Sequence, residues 1–231
     1  MPPLHRTCRL ERSIRVFGLV LCVNAMYDEC SALPCVHSMD WLEAIREDLR
    51  KATIVRIPSK EGYYEYVVNP LSSGVPEIPT EALWGCAFEV ARISDVKRSN
   101  KIITPEAMGI QIAAALSLVT GVPMLVIRKK SYMLPSEIKI VKRTGYAEET
   151  MYANGLQSGD SVLLVDSIIA TGGTYVAIIK ELLSHGIKLA DAVSVIERVE
   201  FRGVERVENE TGVKVKTLIR LRLEDGKPFI E

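Results

Sequence analysis

Short apolar runs alternate with helical segments from Lys101 to Arg198, and this pattern constrains the fold more than any other feature of the sequence. The runs are "KIIT", "VPMLVIRKK", "SVLLVD" and "ADAVSVIER", and the helical segments are "IQIAAALSLVTG" and "YVAIIKELLSHG". Continuous β-branched runs that alternate with helices are typical of a parallel sheet whose two faces are both covered. The sequence therefore predicts an α/β fold with a mostly parallel sheet flanked by helices.

Three loops follow predicted strands, after Thr104, Ile127 and Asp166. If these strands are parallel, the loops emerge at the same edge of the sheet, where ligands of such sheets bind. A longer polar insert, residues 131–155, interrupts the alternation and is predicted to form a mobile ribbon or lid. Before the sheet, residues 39–81 are predicted to form a helix, two short strands and a Pro/Gly/Ser loop.

The segment "ATGGT", residues 170–174, has the composition of an anion site. Adjacent glycines let backbone N–H groups point at one anion, and the threonine hydroxyls add donors. The next helix is predicted to start near Thr174, which brings its positive end to the same point. Asp166, at the predicted end of the strand, can accept hydrogen bonds from the hydroxyls of an adjoining sugar. The pattern indicates a ribose 5-phosphate site, with an ordinary glycine-containing strand-to-helix turn as the alternative. A Walker motif is excluded because its spacing and its lysine are missing.

The bulk composition excludes some functions. Lys+Arg and Asp+Glu both number 29, and this balance argues against a general nucleic-acid binder. No apolar run reaches the ~18 residues that a membrane span needs. Residues 1–38 contain four of the five cysteines and differ in composition from the rest. Their short apolar run loosely suggests a signal peptide, but no clean cleavage site follows it. We favour a dispensable tail or a start-site artefact, with a functional domain over residues 39–231.

The stretch "VLLVDSIIATGGT" resembles the phosphoribosyl-pyrophosphate (PRPP) motif of the type I phosphoribosyltransferases. The segments "IITPEAMGIQIAAALSL", "MLVIRKK", "RTGY" and "TGVKVKTLIRL" extend the resemblance from Met39 to the C-terminus, to the archaeal hypoxanthine/guanine enzymes and the similar adenine enzymes. This resemblance implies a type I phosphoribosyltransferase fold with a small N-terminal hood and a flexible catalytic loop. It also implies transfer of 5-phosphoribose from PRPP to N9 of a purine in purine salvage, by a cytoplasmic homodimer with Mg²⁺ as cofactor.

The resemblance assigns roles to the residues at the predicted sheet edge. Asp166 and Ser167 would bind the ribose, and Asp166 would also contact the PRPP-bound Mg²⁺. The residues that would bind the 5′-phosphate are Ala170, Thr171, Gly172, Gly173 and Thr174. Those that would bind pyrophosphate are Glu106, Ala107, Met108, Gly109, Arg128, Lys129 and Lys130. The first four belong to a loop that often contains a non-proline cis peptide in this family. The catalytic residues would be Asp166, Lys130 and Tyr146. Read by themselves, "PEAMG" is also a helix start with Pro at its first position, and "RKK" is also a solvated strand end.

The two remaining parts of the implied site are a lid and a hood. Residues 131–155 match the flexible catalytic loop, which would close over PRPP and exclude water with contributions from Tyr146 and Lys142. The alternative is an exposed β-hairpin without chemistry. The base would lie under the hood, residues 39–81, where "NPLSSGVPEI" is the best candidate segment and Tyr64 and Tyr66 are nearby. The alternative is that these two aromatic side chains only pack within the protein and do not contact the base.

Three positions depart from the family pattern. Most relatives have a second acid where this chain has Ser167. Many 6-oxopurine enzymes have Asp at the position of Ala170, and adenine enzymes typically have Glu at the position of Gly145. These residues therefore do not decide which purine base is the substrate. A PRPP-binding regulator without catalysis is the alternative function, and a PRPP-making kinase is disfavoured by the short chain and its single ribose-phosphate motif.

Overall fold

The computed structural model describes residues 40–231 except 60, 61, 144–147 and 225. Within these residues the strands β1 to β10 are Thr53–Ser59, Gly62–Val68, Lys101–Pro105, Met124–Ile127, Ile138–Arg143, Glu148–Ala153, Ser161–Ile169, Lys188–Arg198, Lys216–Glu224 and Lys227–Ile230. The helices α1 to α6 are Trp41–Arg50, Pro70–Ser73, Thr80–Ile93, Ile110–Thr120, Gly173–Ser184 and Gly203–Thr211. Short 3₁₀ turns occupy Val96–Arg98 and Val199–Phe201. No helix of this described part is long and apolar enough to cross a membrane.

Six of the described strands form one sheet, in the order β10-β9-β8-β7-β3-β4. Neighbouring strands from β9 to β4 are parallel, whereas β10 runs antiparallel to β9 at the edge of the sheet. Parallel neighbours need crossover connections. The two predicted helices, α4 and α5, connect β3 to β4 and β7 to β8, and α6 lies between β8 and β9. The predicted α/β class with a mostly parallel sheet is confirmed.

Alternate side chains of β7 pack into two separate cores on the two faces of the sheet. Leu163 and Val165 lie in the core that α1, α3 and α4 cover. Val162 and Leu164 lie in the core that α5 and α6 cover. All four side chains are fully buried. The strand is therefore a continuous apolar run and not an alternating one, because both of its faces are covered.

Strand β7 extends further than the sequence predicts. Its pairing with β8 continues beyond Asp166, with Ile168 opposite Ile196 and Ile169 opposite Glu197. The β-branched side chains of Ile168 and Ile169 favour this extension, because they fit a pleated and largely buried surface. Asp166 and its neighbour Ser167 thus lie inside the strand and not in the loop after it.

The insert after β4 forms the antiparallel hairpin β5–β6. The base of this hairpin is anchored in the protein, because Ile140 and Ala153 are fully buried. Tyr152 also exchanges two backbone hydrogen bonds with Arg128 at the end of β4, at 2.9 and 2.6 Å. The tip, residues 144–147, lies outside the described residues, and so does the predicted catalytic residue Tyr146.

One polar contact ties the region predicted as the hood to the sheet, and another joins two of its own helices. The almost fully buried Arg198, at the end of β8, donates a hydrogen bond from Nη1 to the carbonyl of Glu65 on β2, at 3.2 Å. Asp48 on α1 accepts a hydrogen bond from the backbone N–H of Leu71 on α2, at 3.4 Å. Residues 1–39 lie outside the described part, so the boundary between residues 38 and 39 stays a prediction.

Candidate active site

The segment that follows β3 folds back onto the neighbouring strand β7. A Cβ atom at Gly109 would lie 2.1 Å from Oγ1 of Thr104 and 2.9 Å from Oδ1 of Asp166. Because no real Cβ atom fits at these distances, only glycine lets the backbone approach so closely. The loop predicted to bind pyrophosphate is therefore in direct contact with the acid predicted to bind ribose.

Asp166 has an electrostatic setting that makes it titrate near neutral pH. Burial of its carboxyl group raises the pKa from the ordinary value of 3.8 to about 7, against the opposing effect of the backbone hydrogen bond from Ser167. That hydrogen bond runs from the N–H of Ser167 to Oδ1 at 2.7 Å. Substrate hydroxyl groups that donate to this carboxylate would favour its charged form and lower the pKa again.

The position of Ser167 does not fit the ribose-binding role predicted for it. Its side chain is fully buried, and its hydroxyl has no hydrogen-bond partner within the described part of the chain. Successive side chains of a strand point to opposite faces, and β7 continues through this residue, so the hydroxyl does not accompany the carboxylate of Asp166. The structure does not bring Ser167 to the predicted ribose-binding group in this conformation.

The loop predicted to bind the 5′-phosphate packs against the start of α6. Gly172 has a φ of 74°, and a Cβ atom there would lie 2.5 Å from the carbonyl oxygen of Gly203. A Cβ atom at Gly203 would in turn lie 2.0 Å from the carbonyl oxygen of Ala170. Helix α5 begins at Gly173, and no side chain of the described residues caps it, so its first N–H groups are available to an anion.

Two cationic side chains and a hydroxyl converge on Gly173. From the position that a Cβ atom would occupy there, the distances are 3.5 Å to Cε of Lys142, 3.6 Å to Nη1 of Arg206 and 3.9 Å to Oγ1 of Thr171. Lys142 comes from the hairpin strand β5 and Arg206 from helix α6. The environment of the loop is therefore positive, as a phosphate site requires.

Glu106 joins the segment after β3 to the segment after β4. Its carboxylate accepts a hydrogen bond from the backbone N–H of Lys129 at 2.6 Å and one from Nη1 of Arg128 at 3.1 Å. The hydrogen bond from Lys129 and the charge of Arg128 hold the pKa of Glu106 below its usual value. The peptide bond between Glu106 and Ala107 is cis. The structure thus brings together the two segments predicted to bind pyrophosphate.

The predicted cations differ in their partners. Lys129 pairs with Glu149 of the hairpin at 2.8 Å, and Lys142 pairs with the same carboxylate at 3.4 Å. These two lysines, Lys129 before Lys142, lower the pKa of Glu149. Lys130 is exposed and makes no ion pair within the described residues. One hairpin carboxylate therefore occupies a position between two cations that the sequence links to phosphate binding.

A cavity of about 320 Å³ lies between the hood and the loop at Ala107 and Met108. Tyr66 lines it and donates a hydrogen bond from its hydroxyl to Sδ of Met108 at 3.1 Å. Ser72 and Ser73 also line it, and their buried hydroxyls lack partners within the described part of the chain. Tyr64 packs on Phe201 instead, with ring centroids 5.6 Å apart. Of the two aromatic residues named from the sequence, Tyr66 alone is at this cavity.

Gln111, at the start of α4, completes the polar lining of this cavity. Its Nε2 donates hydrogen bonds to the carbonyls of Leu71 at 2.7 Å and Ser72 at 3.2 Å. These two acceptors fix the amide, so Oε1 is left as a hydrogen-bond acceptor.

Comparison with known proteins identifies the family. Residues 85–219 match the family model of the phosphoribosyl transferase domain. The chain belongs to the phosphoribosyltransferase family. It is 42% identical over 187 residues to a hypoxanthine/guanine phosphoribosyltransferase of Methanocaldococcus infernus, covering 81% of this chain and 99% of the relative. The corresponding protein of Methanotorris igneus is 43% identical over 183 residues, covering 79% and 99%.

Solved structures of adenine phosphoribosyltransferases share the fold of this phosphoribosyltransferase. The enzyme of Thermoanaerobacter pseudethanolicus superposes with a TM-score of 0.61 at 21% identity, over 78% of this chain and 99% of that chain. The Leishmania donovani enzyme gives a TM-score of 0.64 at 18% identity, over 79% and 80%. The family and the fold inferred from the PRPP-like motif are therefore confirmed.

The donor set of this phosphoribosyltransferase fits a metal ion that arrives with the substrate. No group of three or more His, Cys, Asp or Glu residues is placed to hold a metal within the described residues. Asp166 is a single carboxylate, and Ser167 is buried beside it. Mg²⁺ commonly binds through one carboxylate together with substrate phosphates and water. The residues present suit that arrangement better than a resident metal ion.

Besides Gln111, sequence reasoning missed two further residues that shape this site, Arg206 and Gly203. They lie on α6, about thirty residues after the phosphate loop, and reach it because α6 packs beside α5. No spacing pattern links a loop to a helix that follows the next strand. The continuation "RGVERVENETG" has a glycine between charged residues, and this composition by itself indicates only a solvated helix.

Proposed function

We propose that this phosphoribosyltransferase transfers the 5-phosphoribosyl group of PRPP to N9 of a purine, in purine salvage, and releases pyrophosphate. One observation carries the proposal: the loop at Ala170–Thr174, Asp166 and the segment at Glu106–Gly109 meet at one sheet edge beside a cavity of about 320 Å³. A cavity of roughly 300 Å³ or more is of the size that proteins use for small ligands. Gly109, which approaches Asp166, and Ala107 and Met108, which line the cavity, belong to the same segment, and this supports a site in which phosphate, ribose and base would bind side by side.

The residues of this site would act by binding, orientation and charge. The bond between C1′ and the diphosphate oxygen breaks, and the diphosphate leaves with both bonding electrons. The bond between C1′ and N9 forms, and the N9 proton passes to water. Asp166 would hold the ribose hydroxyls, and its negative charge would stabilise the positive charge that develops at C1′. Arg128, Lys129 and Lys130 would neutralise the departing diphosphate. The hairpin would exclude water from the reacting carbon.

The proposal includes Mg²⁺ carried by PRPP. When bound, the ion would add positive charge to the departing diphosphate. Asp166 would act on the ion indirectly, through the ribose hydroxyls from which it would accept hydrogen bonds. The cations after β4 would share the same charge, so the protein and the ion would act on one leaving group.

We further propose that the preferred base is a 6-oxopurine, hypoxanthine or guanine. The supporting observation in the cavity is the fixed amide of Gln111, whose Oε1 is an acceptor. A 6-oxopurine offers an N1–H donor to such an acceptor, whereas N1 of adenine is itself an acceptor. The names of the most similar relatives agree with this choice, as hypoxanthine/guanine phosphoribosyltransferases.

A homodimer, which the family resemblance implies, is also part of the proposal. Tyr132, Met133 and Leu134 follow the cations of β4 and expose 57%, 90% and 51% of their surfaces. An apolar run of this kind beside a site is typical of a surface that a second subunit covers. Light scattering coupled to size-exclusion chromatography measures the mass directly, and a monomer at micromolar concentration would contradict the proposal.

A coupled assay of pyrophosphate release tests the activity. It uses the full chain with PRPP, Mg²⁺ and, in separate reactions, hypoxanthine, guanine, xanthine and adenine. We expect turnover with hypoxanthine or guanine. The kcat/KM for adenine should be at least about tenfold lower, because two facing acceptors would leave a buried acceptor without its hydrogen bond. PRPP binding by calorimetry without turnover of any base would favour the non-catalytic regulator instead.

A further inference from the structure

We propose that Arg206 binds the 5′-phosphate of PRPP, as a cation that α6 holds beside the phosphate loop. The proposal rests on the proposed function only in naming PRPP as the source of the phosphate. It adds a residue outside the recognised motif. It also explains why the start of a later helix packs so closely on the loop.

The geometry places the guanidinium of Arg206 at the mouth of the loop. Nη1 donates a hydrogen bond to the carbonyl of Thr171 at 3.3 Å, and it lies 3.6 Å from the space beside Gly173. Nε donates to Oε1 of Glu210 at 2.8 Å. Arginine carries five N–H donors, and these contacts use two of them. The remaining donors have no hydrogen-bond partner among the described residues and can bind an anion in the loop.

The partners of Arg206 orient it without removing the positive charge at the loop. Glu210 lies one helical turn further along α6, and it also pairs with Lys180 of α5 at 2.7 Å. Lys180 and Arg206 both lower the pKa of Glu210, so this carboxylate is ionised and shared between two cations. The three side chains together carry one net positive charge, and Arg206 is the member that reaches the loop.

Arg206 and Lys142 differ in the elements that carry them. Lys142 belongs to the hairpin strand β5, and it is paired with Glu149 of the neighbouring strand β6. Arg206 belongs to a helix whose first residue, Gly203, is locked against Ala170. The position of the guanidinium beside the loop therefore follows from the packing of α6 on the loop and not from the hairpin. The planar guanidinium is suited to bidentate binding of a phosphate.

The test compares Arg206→Gln with Lys180→Gln. Each change removes one positive charge and one ion pair with Glu210, but only Arg206 contacts the loop. Calorimetry with ribose 5-phosphate measures phosphate binding, and steady-state kinetics give KM for PRPP and kcat. We expect Arg206→Gln to raise both the Kd for ribose 5-phosphate and the KM for PRPP about tenfold, because one charge-assisted hydrogen bond is lost. The kcat should stay within about twofold of the parent value.

The controls separate recognition from structure. Lys180→Gln should leave both constants within about twofold of the parent values. Arg206→Lys should bind more tightly than Arg206→Gln but more weakly than the parent, because lysine keeps the charge but lacks the planar guanidinium group. Equal effects of Arg206→Gln and Lys180→Gln, or no effect of either, would overturn the proposal. A parent chain that binds ribose 5-phosphate but turns over no purine would contradict the proposed function and leave this inference standing.

Discussion

The carboxyl group of Asp166 should control activity through both its charge and its hydrogen bonds. Asp166→Asn keeps the size of the side chain but removes the charge that would stabilise C1′. We expect kcat/KM to fall at least about tenfold, within the range for the loss of an electrostatic contact in an active site. Pyrophosphate release measured for the two proteins tests this value. An unchanged kcat/KM would mean that the ribose lies elsewhere.

The raised pKa of Asp166 predicts a pH dependence with a defined sign. In the free enzyme this carboxyl group titrates at about 7 because it is buried. Since the ionised form is the one that accepts hydrogen bonds from ribose, log kcat/KM should rise with pH up to about 7 and then level off. The pH range from about 5.5 to 8 brackets this pKa. A log kcat/KM that stays constant over this range would show that activity does not require the ionised carboxylate.

The same shift predicts how Asp166 affects stability. The unfolded chain releases the proton near 3.8, whereas the folded chain keeps it to about 7. Between these pH values the folded state binds more protons, so this residue contributes a loss of stability as pH rises. Asparagine has no such titration. The Tm of Asp166→Asn relative to the parent should therefore increase from pH 4.5 to pH 8, which thermal unfolding monitored by circular dichroism would show.

Gly203 is a second residue whose change has a sharp consequence. In Gly203→Ala the new Cβ atom would lie 2.0 Å from the carbonyl oxygen of Ala170, so backbone must move. We expect a loss of about 1–3 kcal/mol in stability, as for overpacking, together with a raised KM for PRPP. Gly212→Ala is the matched control at the other end of α6, where a Cβ atom meets nothing within 4 Å at a φ of 72°. It should lower Tm slightly through backbone strain and leave KM unchanged.

At the scale of elements, the hairpin β5–β6 brings a carboxylate to the cations of the site. Glu149 pairs with Lys129 at 2.8 Å and with Lys142 at 3.4 Å, in competition with any phosphate that approaches these lysines. Glu149→Gln frees both lysines, so we expect the Kd for pyrophosphate to fall about threefold at low salt and less at high salt. Calorimetry with pyrophosphate measures the change. Glu47→Gln, which removes an exposed carboxylate on α1, is the control, and equal effects of the two changes would attribute the gain to net charge alone.

The elements also show what the sequence could and could not predict. Helix α3, Thr80–Ile93, covers the segment "TEALWGCAFEVARI", whose Thr/Glu start and apolar residues are local signals of a helix. Strand β7 was predicted to end at Asp166, because a charged residue in an apolar run reads as a boundary. The partner strand decides otherwise, since Ile168 and Ile169 pair with β8. The burial of Ser167 follows from that pairing, and such information is non-local.

At the scale of the whole molecule, the site draws on segments far apart in the chain. The three loops at the sheet edge were predictable because parallel strands must end at one edge. The contacts from α6 and from Gln111 to this edge were not, because they depend on how helices pack across the sheet. Periodicity predicts which face of a helix is buried but not which neighbour it meets. The core of the site was therefore visible in the sequence, and its supporting contacts required the structure.

The domain boundary leads to a prediction about the length of chain that the activity needs. Helix α1 is capped by Asp40, whose carboxylate accepts a hydrogen bond from the N–H of Glu43 at 3.1 Å. Its residues Ile45 and Leu49 are fully buried, and Asp48 contacts α2 beside the base cavity. We therefore expect a chain that starts at Met39 to match the full chain in Tm and, within about twofold, in kcat/KM, because the ligands and their supports named above follow residue 39.

A chain that starts at Ala52 provides the contrast. It removes α1 and with it two fully buried aliphatic side chains, each stabilising the fold by about 1.5–3 kcal/mol. It also removes the acceptor for the N–H of Leu71, next to the serines of the cavity. We expect a lower Tm and a KM for the purine that rises more than KM for PRPP, because the base cavity loses its support while the phosphate loop does not. A shortened chain from Met39 that lost activity to the same degree would place an essential contact within residues 1–38 and contradict the boundary.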